Sequence, residues 1–266
     1  MRLLNQSGFL QADLARAIIL TTALTGSIFL TSHLSYNTPA PRTFSFLETV
    51  STTGSSIDVS DVTGSVDVTS WNQPQVLING TIVVAGEGAT PDYVRVQEQN
   101  TEGSISFRPI YDDKTTGRSY VVNVNLYLPS RTTITRIGIT AIGDGPVQLG
   151  SLNVSRAYVS SQSGGIKMIL TPVAHGDYSI IAYNGGSIAL KIPSSSSFRL
   201  DAASGSGYNG DVTVNGFAQC LVDTRANAYG PGTTGATISC GDQSAYVKVQ
   251  TEWQRIPAGN ITIDAI

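Results

Sequence analysis

The chain has 266 residues, a formal net charge of −3 and only 13% charged residues. This length allows one large domain or two small ones with a sizeable core. So few charges argue against an ordinary helical cytosolic protein, whose solvated faces are rich in Lys and Glu. Because the chain has no basic excess, we expect no nucleic acid among its partners.

The N-terminus predicts export. Residues 1–16 contain Arg2 and Arg16 and are followed by a hydrophobic segment, 17–34. Its uncharged part is short for a membrane span but long enough for a signal-peptide core. Arg16 on the N-terminal flank predicts that residues 1–16 are cytoplasmic and that the body lies outside. We therefore expect 17–34 to bind the membrane, as an uncleaved signal anchor or a cleaved signal peptide. The body is then extracellular, either anchored at the cell surface by a single pass or secreted.

The remaining chain divides into a linker and a β-rich body. Residues 35–43 contain two prolines and small polar residues without periodicity, which is typical of a linker. Over residues 44–266 apolar and polar residues alternate, as in Ile57-Asp-Val59 and in the longest run, Val122–Leu128. A period of two predicts strands with one face in a core and the other in solvent. No convincing amphipathic helix follows residue 34.

Many of the predicted strands follow a glycine and one polar residue. This Gly–polar–Val/Ile step recurs about every 20 residues, which is the length of one turn of a solenoid. Gly supplies the positive φ that a tight corner demands. We therefore predict an all-β solenoid after one N-terminal hydrophobic helix. The alternative is a two-sheet β-sandwich, which also has short alternating strands. The predicted corner glycines are Gly64, Gly80, Gly103, Gly145, Gly165, Gly186, Gly210 and Gly259.

An ordered series of segments resembles the adhesin-like family known by the domain name DUF4097. The series consists of Ile57–Trp71, Val122–Pro129, Ser160–Ile166, Gly186–Pro193 and Phe198–Gly205. The resemblance covers about residues 50–266 and implies a right-handed parallel β-helix with a role in adhesion. It brings no catalytic residues. The sequence departs from the family pattern where Ser, Asn or Thr replaces Asp at most corners, and in an insertion-like stretch between its two cysteines.

Two kinds of covalent modification fit an exported chain. Cys220 and Cys240 are the only cysteines, and a disulfide between them is favoured over two buried thiols. Residues 223–235 between them read as a long loop, and closing it would stabilise the fold by roughly 3 kcal/mol. The glycosylation candidates are the sequons that begin at Asn79, Asn153 and Asn260.

No pattern in the sequence predicts a catalytic centre, a metal site or a cofactor. The two histidines, His33 and His175, are too few for a three-His site, and no Gly-x-Ser-x-Gly elbow accompanies them. The best enzymatic case places Asp144, Lys167 and Lys191 at similar phases of consecutive turns. The alternative interpretation is that these three are solvated outward positions.

Other polar and aromatic positions give weaker signals. Asp144 and Asp211 lie in Gly/Asp-rich corners, but the repeating calcium-binding pattern is missing. The cluster Asp112-Asp113-Lys114 is typical of a polar loop tip. Tyrosines are expected to face outward, where they suit glycans or protein edges as well as strands in general. The tyrosines concerned are Tyr127, Tyr183, Tyr208 and Tyr229.

Three functions remain open from the sequence. The first is a non-enzymatic surface protein, structural or adhesive, that presents a polar wall to glycans or to copies of itself. The second is an extracellular polysaccharide-active enzyme on the same scaffold. The third is a membrane-tethered envelope sensor. Because an open coil end is a strand edge with unpaired backbone groups, we expect residues 44–50 to cover the N-terminal end or that end to pair with another molecule.

Overall fold

Strands dominate the computed structural model, as the alternating sequence predicts. The structure describes residues 40–50, 56–101, 103–130, 134–205, 210–226, 233–252 and 259–266. The predicted cytoplasmic segment 1–16, the hydrophobic segment 17–34 and most of the linker lie outside these ranges. Within them, no helix has the length and apolar character needed to cross a membrane.

The described chain has nineteen strands and two short 3-10 turns, Pro91–Tyr93 and Asp113–Thr115. In chain order the strands are β1 Arg42–Val50, β2 Ser56–Val62, β3 Val66–Trp71, β4 Val76–Ala85, β5 Val94–Thr101, β6 Ser104–Tyr111, β7 Ser119–Pro129, β8 Arg136–Ala141, β9 Val147–Leu152, β10 Arg156–Ser161, β11 Ile166–Leu170, β12 Asp177–Tyr183, β13 Ile188–Ile192, β14 Phe198–Ser204, β15 Val212–Asn215, β16 Leu221–Ala226, β17 Thr234–Cys240, β18 Tyr246–Glu252 and β19 Ile261–Ala265.

The strands form two sheets that enclose one core. The nine-stranded sheet has the order β1-β4-β7-β3-β9-β11-β13-β19-β15, and the ten-stranded sheet has the order β16-β17-β14-β18-β12-β10-β8-β2-β6-β5. From β8 to β15 each strand is followed by a strand of the other sheet, and neighbours within a sheet pair in parallel. This alternation is that of a flattened solenoid, as predicted, and differs from a sandwich of antiparallel hairpins.

The turns of the solenoid do not stack in chain order. We call one strand of each sheet, joined by a corner, a rung. In space the rungs follow the order β6/β7, β2/β3, β8/β9, β10/β11, β12/β13, β18/β19 and β14/β15. Rung β2/β3, the first in the chain, thus lies in space between β6/β7 and β8/β9. Rung β18/β19, the last in the chain, lies between β12/β13 and β14/β15. The sequence predicted turns that stack consecutively, whereas the described residues form seven rungs in this altered order.

The core is built from columns of side chains in register across the rungs. One column of the ten-stranded sheet is Ile105, Ile57, Ile137, Ala157, Tyr178, Val247, Leu200 and Ile238. The opposing column of the nine-stranded sheet is Val124, Val66, Val147, Ile166, Ile188, Ile261 and Val212. All of these residues are buried, and the apolar half of each alternating strand therefore faces one shared interior.

The corner glycines stack on one another. A Cβ added to Gly145 would overlap the backbone of Gly64, one on Gly186 would overlap the carbonyl oxygen of Gly164, and one on Gly259 would overlap the backbone of Gly186. None of Gly64, Gly145, Gly186 and Gly259 has a positive φ. Glycine is thus required at this corner by close backbone approach, and the predicted reason, a left-handed backbone, was wrong.

Three of the predicted corner glycines lie elsewhere or act differently. Gly80 is inside β4, where a Cβ would overlap the carbonyl oxygen of Asn123. Gly103 has φ +87 and turns the β5–β6 hairpin, and a Cβ added there would meet no atom within 4 Å. Next to Gly165, it is Gly164 that lies close to another strand's backbone, since a Cβ added there would overlap the carbonyl oxygen of Gly145. Gly210 precedes β15, at the place where the other corner glycines precede their strands.

Antiparallel strands extend both sheets at the N-terminal end of the coil, and the ten-stranded sheet at the other end. At the N-terminal end β1 pairs with β4, and Phe46 of β1 stacks on Phe107 of β6 with ring centroids 5.7 Å apart. Residues 44–50 therefore do cover this end as predicted, although β1 begins at Arg42, inside the predicted linker. At the other end β17 pairs with β14, and β16 pairs with β17.

A disulfide joins Cys220 to Cys240, as the sequence predicted. Cys220 lies immediately before β16, and Cys240 is the last residue of β17. The stretch between them is not a single loop, because Leu221–Ala226 and Thr234–Cys240 are paired strands. The bond therefore fastens an antiparallel edge pair at the C-terminal end of the ten-stranded sheet.

Candidate binding faces

Two of the three residues of the predicted enzymatic set come together on the outer face of the nine-stranded sheet. Lys167 of β11 and Lys191 of β13 line a groove of about 350 Å³ together with Asp67, Thr69 and Gln148. We call these five residues the lysine groove. Asp144 is exposed in the corner between β8 and β9 and does not line it. The carboxylate that accompanies the lysines is Asp67, which the sequence did not single out.

A bulge shapes the lysine groove. Met168 pairs with Leu149, but Ile169 pairs with Ser151, so that Gly150 has no partner across the ladder. Gly150 has no side chain and Ala189 has only a methyl group, so a depression remains between the longer side chains of Gln148, Lys167 and Lys191. In the described part of the chain, neither lysine has a carboxylate within 4.0 Å.

The outer face of the ten-stranded sheet carries two exposed tyrosines. Tyr158 of β10 is 43% exposed and Tyr246 of β18 is 40% exposed. Arg136, Arg156 and Asp177 lie in the same register row as Tyr246, on β8, β10 and β12. We call Arg136, Arg156, Tyr158, Asp177 and Tyr246 the tyrosine face.

Tyr158 has small register neighbours on both sides. In register, Tyr158 lies between Gly138 of β8 and Ser179 of β12. No large side chain on an adjacent strand therefore stands against the ring. An accessible phenol ring offers an apolar surface with a polar tip, which is the usual contact for a sugar ring or for another protein.

The arginines of this sheet are of two kinds. Arg108 is paired with Asp61 at 2.5 Å, and Arg199 is paired with Asp201 at 3.5 Å. Arg136 and Arg156 are exposed and in register on adjacent strands, and the described residues place no carboxylate within 4.0 Å of either. The centre of the face therefore holds two cations side by side without a direct counter-ion.

Asp58 lies at the edge of the same face, over Gly138. Its Oδ2 would be 2.5 Å from a Cβ at Gly138, so the glycine makes room for the carboxylate. Burial raises the pKa of Asp58, and this outweighs the lowering effect of Arg136; Asp61 adds a smaller upward shift. Since desolvation disfavours the ionised form, the carboxylate of Asp58 destabilises the fold near neutral pH.

Replacing Asp58 with Asn is expected to raise the melting temperature at pH 7 by roughly 2 °C. Because the pKa is raised by folding, the contribution of Asp58 to stability is fully present below its unfolded pKa and is lost as pH rises through its folded pKa. The gain of Asp58→Asn should therefore disappear near pH 3. Thermal unfolding at both pH values measures it, with Asp144→Asn at an exposed corner as control. A destabilising effect at pH 7 would contradict this account of Asp58.

The predicted outward tyrosines play other roles. Tyr127 is only partly exposed and packs against Trp71, with ring centroids 5.6 Å apart. Tyr183 is partly exposed and lines a cavity of about 380 Å³ with Gln162 and Asn184. Tyr208 and Tyr229 lie outside the described residues. Tyr158 and Tyr246 were missed, although both occupy the polar phase of an alternating strand, which is the signal that could have found them.

The remaining candidates lie apart from both faces. His175 is exposed in a turn with φ 61, and its backbone N donates to the carbonyl of Ser244. Asp112 caps the short 3-10 turn that includes Asp113 and Lys114, which fits the predicted polar loop tip. The backbone N of Asp211 donates to Oδ1 of Asn260. Among the described residues, no three His, Cys, Asp or Glu side chains come together in a way that could hold a metal ion.

The three sequons differ in how open they are. The amide oxygen of Asn79 accepts a hydrogen bond from Asn125 inside the nine-stranded sheet. Asn260 is exposed, and its side chain holds the corner before β15. Asn153 is exposed beside a cavity of about 630 Å³ at the end of β9. Glycosylation stays a prediction at all three positions, and Asn153 is the one that combines an exposed side chain with open space beside it.

The comparisons with known proteins bear on the fold. No protein-family model matches the chain, and no curated protein matches it. A crystal structure of a "putative cell adhesion protein" from Clostridium sporogenes is similar, with 13% identity, coverage of 85% of this chain and 100% of that one, and a TM-score of 0.56.

Two further solved structures match less well. One is a "putative adhesin" from Bacteroides fragilis, with 12% identity, coverage of 85% and 97%, and a TM-score of 0.32. The other is a "putative adhesin" from Parabacteroides distasonis, with 12% identity, coverage of 84% and 97%, and a TM-score of 0.30. At such identities the Clostridium likeness indicates a shared fold, and membership of the DUF4097 family stays a prediction.

Proposed function

We propose that the protein is a non-enzymatic adhesion protein of the cell surface, which holds glycan chains on its tyrosine face. The observation that carries the proposal is Tyr158, which is 43% exposed between Gly138 and Ser179 on the outer face of the ten-stranded sheet. Parallel strands place one outward side chain about every 4.8 Å across the sheet, so a polymer lying across the strands meets a regular row of contacts. The likeness to a protein named as a cell adhesion protein agrees with this use of the fold.

The location at the cell surface is part of the proposal. The Cys220–Cys240 disulfide is typical of an oxidising compartment outside the cytoplasm. A membrane anchor formed by residues 17–34 would hold the body at the surface, with residues 1–16 on the cytoplasmic side. Self-association through an end of the solenoid would add further contacts between cells.

One observation favours a second function, a polysaccharide-active enzyme. The lysine groove brings two lysines and a carboxylate together over a depression of ligand size. Hydrolysis of a glycosidic bond ordinarily takes a pair of carboxylates, and Asp67 is the one carboxylate among the described residues that line this groove. The described lining of the groove therefore lacks the second carboxylate that bond cleavage would need.

A glycan-array screen of the full chain tests the proposed function. We expect reproducible binding, and a loss of about 5- to 150-fold in the double variant Tyr158→Ala/Tyr246→Ala, since aromatic contacts are worth about 0.5–1.5 kcal/mol each. Tyr127→Ala, on the outer face of the other sheet, is the matched control and should bind as the wild type does. Unchanged binding by the double variant, or release of new reducing ends from a bound polysaccharide, would overturn the proposal.

A further inference from the structure

The two central arginines of the tyrosine face are held in an arrangement that is unfavourable without a ligand. Arg136 and Arg156 are register neighbours on adjacent parallel strands, so their Cα atoms are about 4.8 Å apart. Like charges at such positions repel and destabilise a sheet. Two other arginines of the same sheet do have counter-ions, since Arg108 pairs with Asp61 and Arg199 pairs with Asp201.

The nearest carboxylates do not neutralise this pair directly. Asp177 is the register neighbour of Arg156 on the far side, and Asp58 interacts electrostatically with Arg136. Neither is within 4.0 Å of an arginine nitrogen of the pair, in the part of the chain that the structure describes. The two guanidinium groups therefore keep their planar sets of donors available to an anion from solution.

We infer that the ligand of the tyrosine face is an acidic glycan, whose carboxylate or sulfate groups are bound by Arg136 and Arg156 while a sugar ring packs on Tyr158. This inference rests on the proposed function. Tyr158 is two residues beyond Arg156 on the same outer face of β10, about 6.7 Å along the strand. The long side chain of Arg156 can therefore reach an acidic group on a sugar ring that packs on Tyr158, or on the next sugar of the chain. Guanidinium groups bind carboxylate and sulfate by parallel hydrogen bonds, which an ammonium group cannot do.

The surroundings favour a saccharide over other anions. Ser179 and Asp177 supply a hydroxyl group and a carboxylate beside the ring, which suit sugar hydroxyls. A nucleic acid would gain its affinity from many phosphate contacts, whereas this face offers two arginines without a direct counter-ion. The lysine groove on the opposite sheet also holds two cations, but the described residues place no exposed aromatic ring in it.

Binding of polygalacturonate, chondroitin sulfate and neutral galactan to the full chain tests the inference. We expect both acidic polymers to bind at least tenfold more tightly than galactan, and this preference to shrink between about 50 and 500 mM salt. Arg136→Gln/Arg156→Gln should lose tenfold or more for the acidic polymers. Lys167→Gln/Lys191→Gln removes the same charge from the opposite sheet and should change binding less than twofold. Both arginines are exposed, and a cooperative thermal transition at or above the wild-type melting temperature will show that the variants fold.

The outcomes separate this inference from the proposed function. Galactan binding as tight as that of the acidic polymers, or no effect of the arginine substitutions, would overturn the acidic ligand while leaving an adhesive tyrosine face. Equal losses in the arginine and lysine variants would also overturn it, since only overall charge would then matter. Oligo-dT binding as tightly as polygalacturonate would assign the face to nucleic acid instead. Failure of all glycans to bind, acidic and neutral, would overturn the proposed function as well.

Discussion

Gly145→Ala is expected to lower the free energy of unfolding by roughly 3 kcal/mol, the upper end of what overpacking costs. The new methyl group would overlap the carbonyl carbon and oxygen of Gly64 and the amide nitrogen of Ser65. These are backbone atoms of the adjacent rung, and they cannot turn aside as a side chain can. The corner is also held by backbone hydrogen bonds between rungs, such as Val66 N to Pro146 O at 3.0 Å and Val147 N to Gly165 O at 2.9 Å. Separating the rungs would weaken these bonds.

Chemical denaturation of the full chain measures this loss, and Gly150→Ala is the matched control. A Cβ at Gly150 would lie 3.4 Å from the carbonyl oxygen of Val68, which is ordinary contact. The control should therefore change the unfolding free energy by less than about 1 kcal/mol. Equal effects of the two substitutions would contradict a corner in which glycines stack.

Removing the disulfide with Cys220→Ala/Cys240→Ala is expected to cost roughly 3 kcal/mol, because the sequence separation is 20 and the open loop gains entropy in the unfolded chain. The loss should begin locally. β16 is a partly exposed edge strand with Leu221 74% exposed, so it is held by β17 and the disulfide more than by burial.

Thermal unfolding measures the loss of overall stability, and hydrogen exchange shows whether the loss begins at β16. Amides of β16 should exchange faster in the double variant, while those of central β12 keep their protection at temperatures where the core is folded. Reduction of the wild-type protein should reproduce the shift. A variant as stable as the wild type would mean that the edge pair is fixed by its own contacts. The bond would then be incidental to stability.

The sequence predicted where the strands lie, but it did not predict the order in which they pair within the two sheets. Alternation predicted the strands because each strand buries one phase of its residues, and Ile57 and Val59 in β2 are an example. The order of the rungs has no such signal. β2 pairs in parallel with both β6 and β8, and these contacts depend on backbone ladders between distant segments, which any strand of suitable length can form.

The candidate site shows the same division. Lys167 and Lys191 were predicted to lie at similar phases, and the structure brings them to one groove. Asp144 was grouped with them because it lies one turn earlier, but it occupies the corner before β9, and Gln148 of β9 lines the groove instead. Asp67 is the carboxylate of the groove because rung β2/β3 stacks against rung β8/β9 from far away in the chain. Tyr158 was missed for a related reason, since its accessibility depends on Gly138 and Ser179 on the strands beside it.

Titration of the full chain with polygalacturonate, followed by backbone and tyrosine-ring NMR shifts, shows whether the outer face of the ten-stranded sheet binds glycan. We expect shifts confined to β8, β10, β12 and β18, largest at Arg136, Arg156 and Tyr158. Shifts at Lys167 and Lys191, or along the edge strands β1 and β16 with none on β10, would contradict it.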